Sequence, residues 1–107
     1  MSRTKEDQSK LSKAHYYSNL EYYRRKRKES RERRQKIVRE AKEKPCADCG
    51  IQYGYWVMQF DHIRDKLFTI AGNWTNVSLS SLVEEIAKCE IVCANCHANR
   101  TYRRAAE

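Results

Sequence analysis

Four cysteines stand in two pairs of C-x-x-C spacing, Cys46-Ala47-Asp48-Cys49 and Cys93-Ala94-Asn95-Cys96. Each pair sets two thiols on one tight turn. Together they offer the four thiolates that a closed tetrahedral structural Zn²⁺ site takes. Gly50 follows the first pair and permits the backbone turn such a knuckle needs. A redox dithiol is the alternative chemistry, but two pairs and the lack of a βαβ pattern argue against it. Cys89 has no neighbour at knuckle spacing and is expected to be a small buried apolar residue.

A second group of residues could move protons. Asp61 and His62 close an aromatic and β-branched run, and His97 directly follows the last knuckle cysteine. An imidazole can accept a proton near neutral pH. A carboxylate oxygen suits Mg²⁺ or Mn²⁺, and the imidazole also accepts Ni²⁺ or Zn²⁺. A general base, a divalent site and an excess of positive charge together suit phosphodiester hydrolysis. Neighbours on a strand point to opposite faces, so Asp61 and His62 reach one site only if the strand ends or bulges there.

The elements that must position these groups follow from the pattern. Tyr53 to Ile63 suits a strand, with Trp56, Met58, Phe60 and His62 on one side and Tyr55, Val57 and Gln59 on the other. Arg64 to Ser80 is loop-like, with Leu67-Phe68-Thr69-Ile70 briefly extended. Ser81 and Glu84 have capping-box spacing before a short helix over 82–88. Ile91-Val92 predicts a strand paired with 56–61, and the stretch from Cys93 to Ala106 predicts a helix. The fold class is therefore α+β, in the order strand, long loop with a small helix, strand, helix.

The charge is uneven. Of 107 residues with a net charge of +8, residues 1–44 carry 16 basic and 7 acidic side chains, while residues 45–107 carry 6 and 7. This divides the chain into a basic arm, 1–44, and a cysteine-bearing domain, 45–107. Residues 1–14 are polar and expected to be disordered. Ser18 and Glu21 have capping-box spacing before a long helix predicted over 19–43, ended by Pro45. Arg24, Arg25, Lys26, Arg27, Lys28, Arg31, Arg33, Arg34, Lys36 and Arg39 surround it. The bland interpretation is a solvated helix that aids solubility. The sharper one is a phosphate-binding arm for DNA, whose affinity falls steeply with salt and carries no direct sequence readout. Tyr16, Tyr17, Tyr22 and Tyr23 either pack locally or stack on bases.

The length excludes a large cofactor enzyme. No apolar stretch approaches the ~20 residues that span a bilayer, so no membrane role is expected. The N-terminus carries neither a signal core nor a myristoylation glycine, which leaves a reducing, cytoplasmic location as the expectation. A domain of this size is marginal without a staple, and zinc would supply one.

With these residues in view, the sequence resembles the HNH nuclease family. The resemblance lies in Cys46-x-x-Cys49, Phe60-Asp61-His62-Ile63, and the run from Lys88 through Cys93-Ala94-Asn95-Cys96-His97 to Arg100 and Thr101. It covers roughly 45–101, and the size and basic arm are similar to free-standing phage HNH proteins. The resemblance implies a zinc-stapled ββα-metal core behind a long basic helix. It implies a metal-dependent DNA endonuclease with His62 as general base, and Asp61 and His97 as ligands of one catalytic divalent ion. Products would carry 5′-phosphate and 3′-hydroxyl ends, with Arg100 and Arg103 near the phosphates. The family's middle Asn is absent: Lys88 occupies that slot, and Asn73 and Asn76 lie in the loop. A zinc-stapled nucleic-acid-binding module without catalysis is the alternative. Monomer and dimer both remain open.

Overall fold

The computed structural model describes residues 5–106. They form α1 (Lys5–Ser18), α2 (Leu20–Lys42), β1 (Met58–His62), α3 (Ile70–Asn73), α4 (Leu79–Ala87), β2 (Cys89–Cys93) and α5 (Ala94–Ala106). The chain separates into two compact units, one ending at Glu32 and the other beginning at Arg33.

In the first unit, residues 5–14 are helical rather than disordered. They contain neither Gly nor Pro and are rich in Lys, Glu, Gln and Ala, which favour helix in the absence of any packing. Positions 1–4 lie outside the described residues. Ser18 is not a cap: its Oγ donates back to the Ala14 carbonyl, and Asn19 alone separates the two helices. Tyr16 and Tyr23 stack with ring centroids 5.7 Å apart, and the Tyr23 hydroxyl meets His15 Nε2 at 3.2 Å.

The second unit is built on a two-stranded antiparallel sheet. Met58 pairs with Cys93, Phe60 with Ile91, Asp61 with Glu90 and His62 with Cys89. The strand is shorter than the aromatic run predicts, since Tyr53 and Gly54 are irregular and Tyr55 to Val57 form a turn. The last turns of α2 belong to this unit. Arg34 Nε donates to the Val77 carbonyl at 3.1 Å, and the Arg39 guanidinium lies 4.3 Å over the Tyr55 ring. The core comprises Met58, Ile70, Leu82, Ile91 and Val92, together with Cys46 and Cys93. Sequestering such side chains is worth about 1.5–3 kcal/mol each.

Two expectations for the connecting segment change. Ile70 opens α3 instead of continuing an extended stretch, and Thr69 is the extended residue before it. The helix expected from 82 starts at Leu79, because Ser78, not Ser81, is the cap: Ser78 Oγ accepts from the Ser81 N–H at 3.2 Å. This satisfies one of the four amide groups that a helix start leaves unpaired.

Candidate metal centre and cleft

The two knuckles converge. The Sγ atoms of Cys46, Cys49, Cys93 and Cys96 all lie within 4.8 Å of one another, the only such cluster of metal-ligating side chains among the described residues. Zn–S bonds of about 2.3 Å in a tetrahedron place sulfurs roughly 3.8 Å apart. Cys49 and Cys93 are 4.0 Å apart, so the donor set fits a metal ion of this kind. Gly50 adopts φ +75°, the left-handed turn expected of it, and its N–H closes onto the Cys46 carbonyl at 2.9 Å. The first knuckle docks on β2 through the Ala47 N–H to the Ile91 carbonyl at 2.9 Å.

The electrostatics call for a cation. Burial pushes the Cys46 thiol up, but the N–H groups of Cys49, Cys93 and Asp48 outweigh it and hold Cys46 at about 6. Cys96 is pushed up to about 12, first by the Cys93 sulfur and then by burial. Four sulfurs this close cannot all ionise alone, and a divalent ion removes that conflict. Cys89 stays outside the cluster. Its thiol donates to the Glu85 carbonyl at 3.4 Å, and burial raises it to about 11.

Asp61, His62 and His97 line one cavity of about 580 Å³, shared with Lys42, Trp56, Lys66 and Arg104. The strand ends at His62, which lets side chains from its opposite faces border one cleft. On one face, α5 lies against Gln59 and Asp61. His97 Nδ1 meets Gln59 Oε1, and His97 Nε2 stands 3.6 Å from Asp61 Oδ1. With Nδ1–H donated to the amide oxygen, the Nε2 lone pair faces the carboxylate, a pair of donors suited to one cation.

Asp61 is nevertheless fully engaged. Arg104 donates to both of its oxygens at 2.8 and 2.7 Å, and Arg100 to Oδ2 at 2.7 Å. Arg104 above all, with Arg100, holds the buried carboxyl at about 2 against the opposing effect of burial. Arg100 also bonds Asp48 and Glu90, so its guanidinium is spent within the protein. Arg103 is more exposed and reaches Asp48 at 3.9 Å. Arg24, Arg25, Lys26, Arg27, Lys28, Arg31 and Arg33 are all exposed on α2, with Arg25, Lys26 and Lys28 paired to glutamates one turn away.

On the other face, His62 Nε2 lies 2.9 Å from Oε2 of Glu85, a carboxylate 1% exposed. The same oxygen accepts the Leu67 and Phe68 N–H groups at 2.9 and 3.3 Å, and Lys88 bonds Oε1 at 2.8 Å. These partners overcome burial and hold Glu85 at about 2. Lys88 also donates to the Asp65 carbonyl at 3.1 Å, where φ is +38°. An ionised carboxylate only accepts, so His62 donates to it from Nε2–H, and the neutral ring in this orientation has its lone pair on Nδ1. Sequence reasoning missed Glu85, Gln59 and Arg104. Each had a positional signal: Gln59 is two residues before Asp61 on a strand, Arg104 is four after Arg100 on a helix, and Glu85 is three after Leu82 on a helix.

Compared with protein-family models, curated proteins and solved structures, the chain matches none. Among the described residues no helix is long and apolar enough to cross a membrane.

Proposed function

We propose that the chain is a metal-dependent DNA endonuclease of HNH type, with zinc as the ion of the four-cysteine centre. The observation that carries this reading is the cleft itself. A histidine held at Nε2 by a buried carboxylate borders the same cavity as the Asp61–His97 pair. In the proposed reaction, Glu85 holds His62 through Nε2–H, and Nδ1 takes the proton from the attacking water. Asp61 and His97 would hold a divalent ion, Mg²⁺ or Mn²⁺ first, which supplies stabilisation of the scissile phosphate's charge and of the leaving 3′ oxygen. Lys42 and Lys66 add positive charge at the cleft. The exposed arginines and lysines of residues 24–33 would hold the DNA backbone at low salt, while Arg34 is taken up by the Val77 carbonyl.

A zinc-stapled binding module without catalysis draws on one observation of its own: Arg100 and Arg104 already satisfy the Asp61 carboxylate. Plasmid cleavage separates the two. Supercoiled DNA at low salt, given Mg²⁺ or Mn²⁺, is expected to be nicked or linearised by the wild type. His62→Ala is expected to bind without cutting, and EDTA to stop the reaction. Salt-sensitive binding with no cleavage under any metal overturns the nuclease reading in favour of the module.

A further inference from the structure

Trp56 borders the cleft yet is 76% exposed. A large aromatic ring left in water calls for an explanation, and the local structure holds it there from two sides. Its indole lies flat across Gly54: a Cβ built on that glycine would come within 2.3 Å of Cη2 and 2.5 Å of Cζ2 and Cζ3. Only glycine leaves room for the ring to lie down. Tyr55 packs against the indole with the two rings nearly perpendicular, centroids 5.4 Å apart at 84°. Tyr55 is itself clamped by Arg39, whose guanidinium covers its ring and donates to its hydroxyl at 3.0 Å. The result is a ring held against the Gly54 backbone and against Tyr55 while most of its surface stays in solvent.

We propose that Trp56 is a stacking platform for an unpaired nucleobase, so that this cleft takes single-stranded or locally opened DNA rather than intact duplex. The proposal rests on the nucleic-acid reading of the same cleft and names its substrate class. A supported aromatic face beside cationic side chains is the arrangement that binds single strands, because every base has a π-face and the lysines meet the phosphates. The cations here are Lys42, whose amine lies 5.3 Å over the Phe60 ring, and Lys66. Bases in a duplex keep both faces stacked on their neighbours and offer Trp56 none until one is extruded.

The test is fluorescence anisotropy at low salt with no added divalent ion, using a labelled oligothymidylate and a blunt duplex of equal length. Wild type is expected to bind the single strand more tightly. Trp56→Ala should weaken that binding by about tenfold, the effect of losing one stacked base, and leave duplex binding unchanged. Trp56→Phe keeps most of the affinity. Gly54→Ala, which displaces the indole while retaining it, should weaken single-strand binding as well. A 2-aminopurine placed in the oligonucleotide should be quenched by wild type and not by Trp56→Ala. Equal affinity of wild type and Trp56→Ala for the single strand, or equal losses on both DNAs, overturns the platform. Since no cleavage is needed, a protein that binds but never cuts still answers. Failure of wild type to bind either DNA overturns the nucleic-acid reading and the platform together, whereas an active Trp56→Ala with undiminished single-strand binding overturns the platform alone.

Discussion

Glu85→Gln probes the most heavily committed buried group in the second unit. The wild-type carboxylate accepts from His62 and from the Leu67 and Phe68 N–H groups through one oxygen, and from the Lys88 ammonium through the other. Glutamine keeps the shape and one acceptor. Its NH₂ must then face either Lys88 or the Leu67, Phe68 and His62 donors, and the negative charge is gone. Lys88 is 23% exposed and loses its partner in a nearly buried setting. Removing one member of such a pair costs about 3–5 kcal/mol, and for a unit of this size 3 kcal/mol lowers Tm by roughly 12–24 °C.

The pH dependence gives the decisive check. Glu85 ionises at about 2 in the folded chain, below its ordinary value of 4.5. Its stabilisation is therefore complete above pH 4.5 and is lost as pH falls toward 2. Wild type and variant share Asp61 and the four cysteines, so the difference between their urea unfolding curves isolates Glu85. That difference should be full at pH 6 and shrink steadily below pH 4.5. A variant within about 0.5 kcal/mol of wild type, the range of an ordinary surface substitution, refutes the reasoning. So does a difference that does not vary between pH 6 and pH 3.5.

Cys96→Ser removes one donor of the four-sulfur cluster. The chain should then bind zinc far more weakly and lose cooperative unfolding, since metal binding contributes on the order of 10 kcal/mol to folding in small zinc modules. Elemental analysis and circular dichroism read both effects, and an unchanged melting curve would remove the zinc from the stability argument. Arg104→Gln withdraws two hydrogen bonds and a positive charge from Asp61. Mn²⁺ titration should show tighter binding to the variant. Weaker binding would mean that Asp61 and His97 do not form the cation site.

The zinc-type cluster was legible because a thiol pair at two-residue spacing leaves little freedom: each knuckle is local, and only the meeting of the two is tertiary. The strand order and α5 followed from alternation and from the Gly-free run after Cys93. The start of α4 was not legible, because Ser78, Ser80 and Ser81 can each cap, and the choice falls on the residue whose cap still buries Leu82. Glu85 was hidden for a related reason. Glu84 and Glu85 are identical in type, and only the facing of α4 decides that one is exposed and the other sealed. Its position three residues after Leu82, on the inward face, was the available signal.

The two faces of β1 separate two kinds of work. Asp61 meets three nitrogen-bearing side chains of one helix, His97, Arg100 and Arg104, three and four residues apart. His62 meets a single anion that is anchored from the opposite direction by Lys88 and by two backbone amides. Asp61 and His62 thus border one cavity while each keeps its own, oppositely charged partners. The Lys88 ammonium ties the Asp65 carbonyl to the Glu85 carboxylate. The loop after His62 is thus tied to α4 through a charged pair as well as through the Leu67 and Phe68 N–H groups. The half-buried lysine needs the buried glutamate to balance its charge, and the glutamate needs the lysine. Glu85 and Lys88 therefore form one device, and neither should be replaceable without the other.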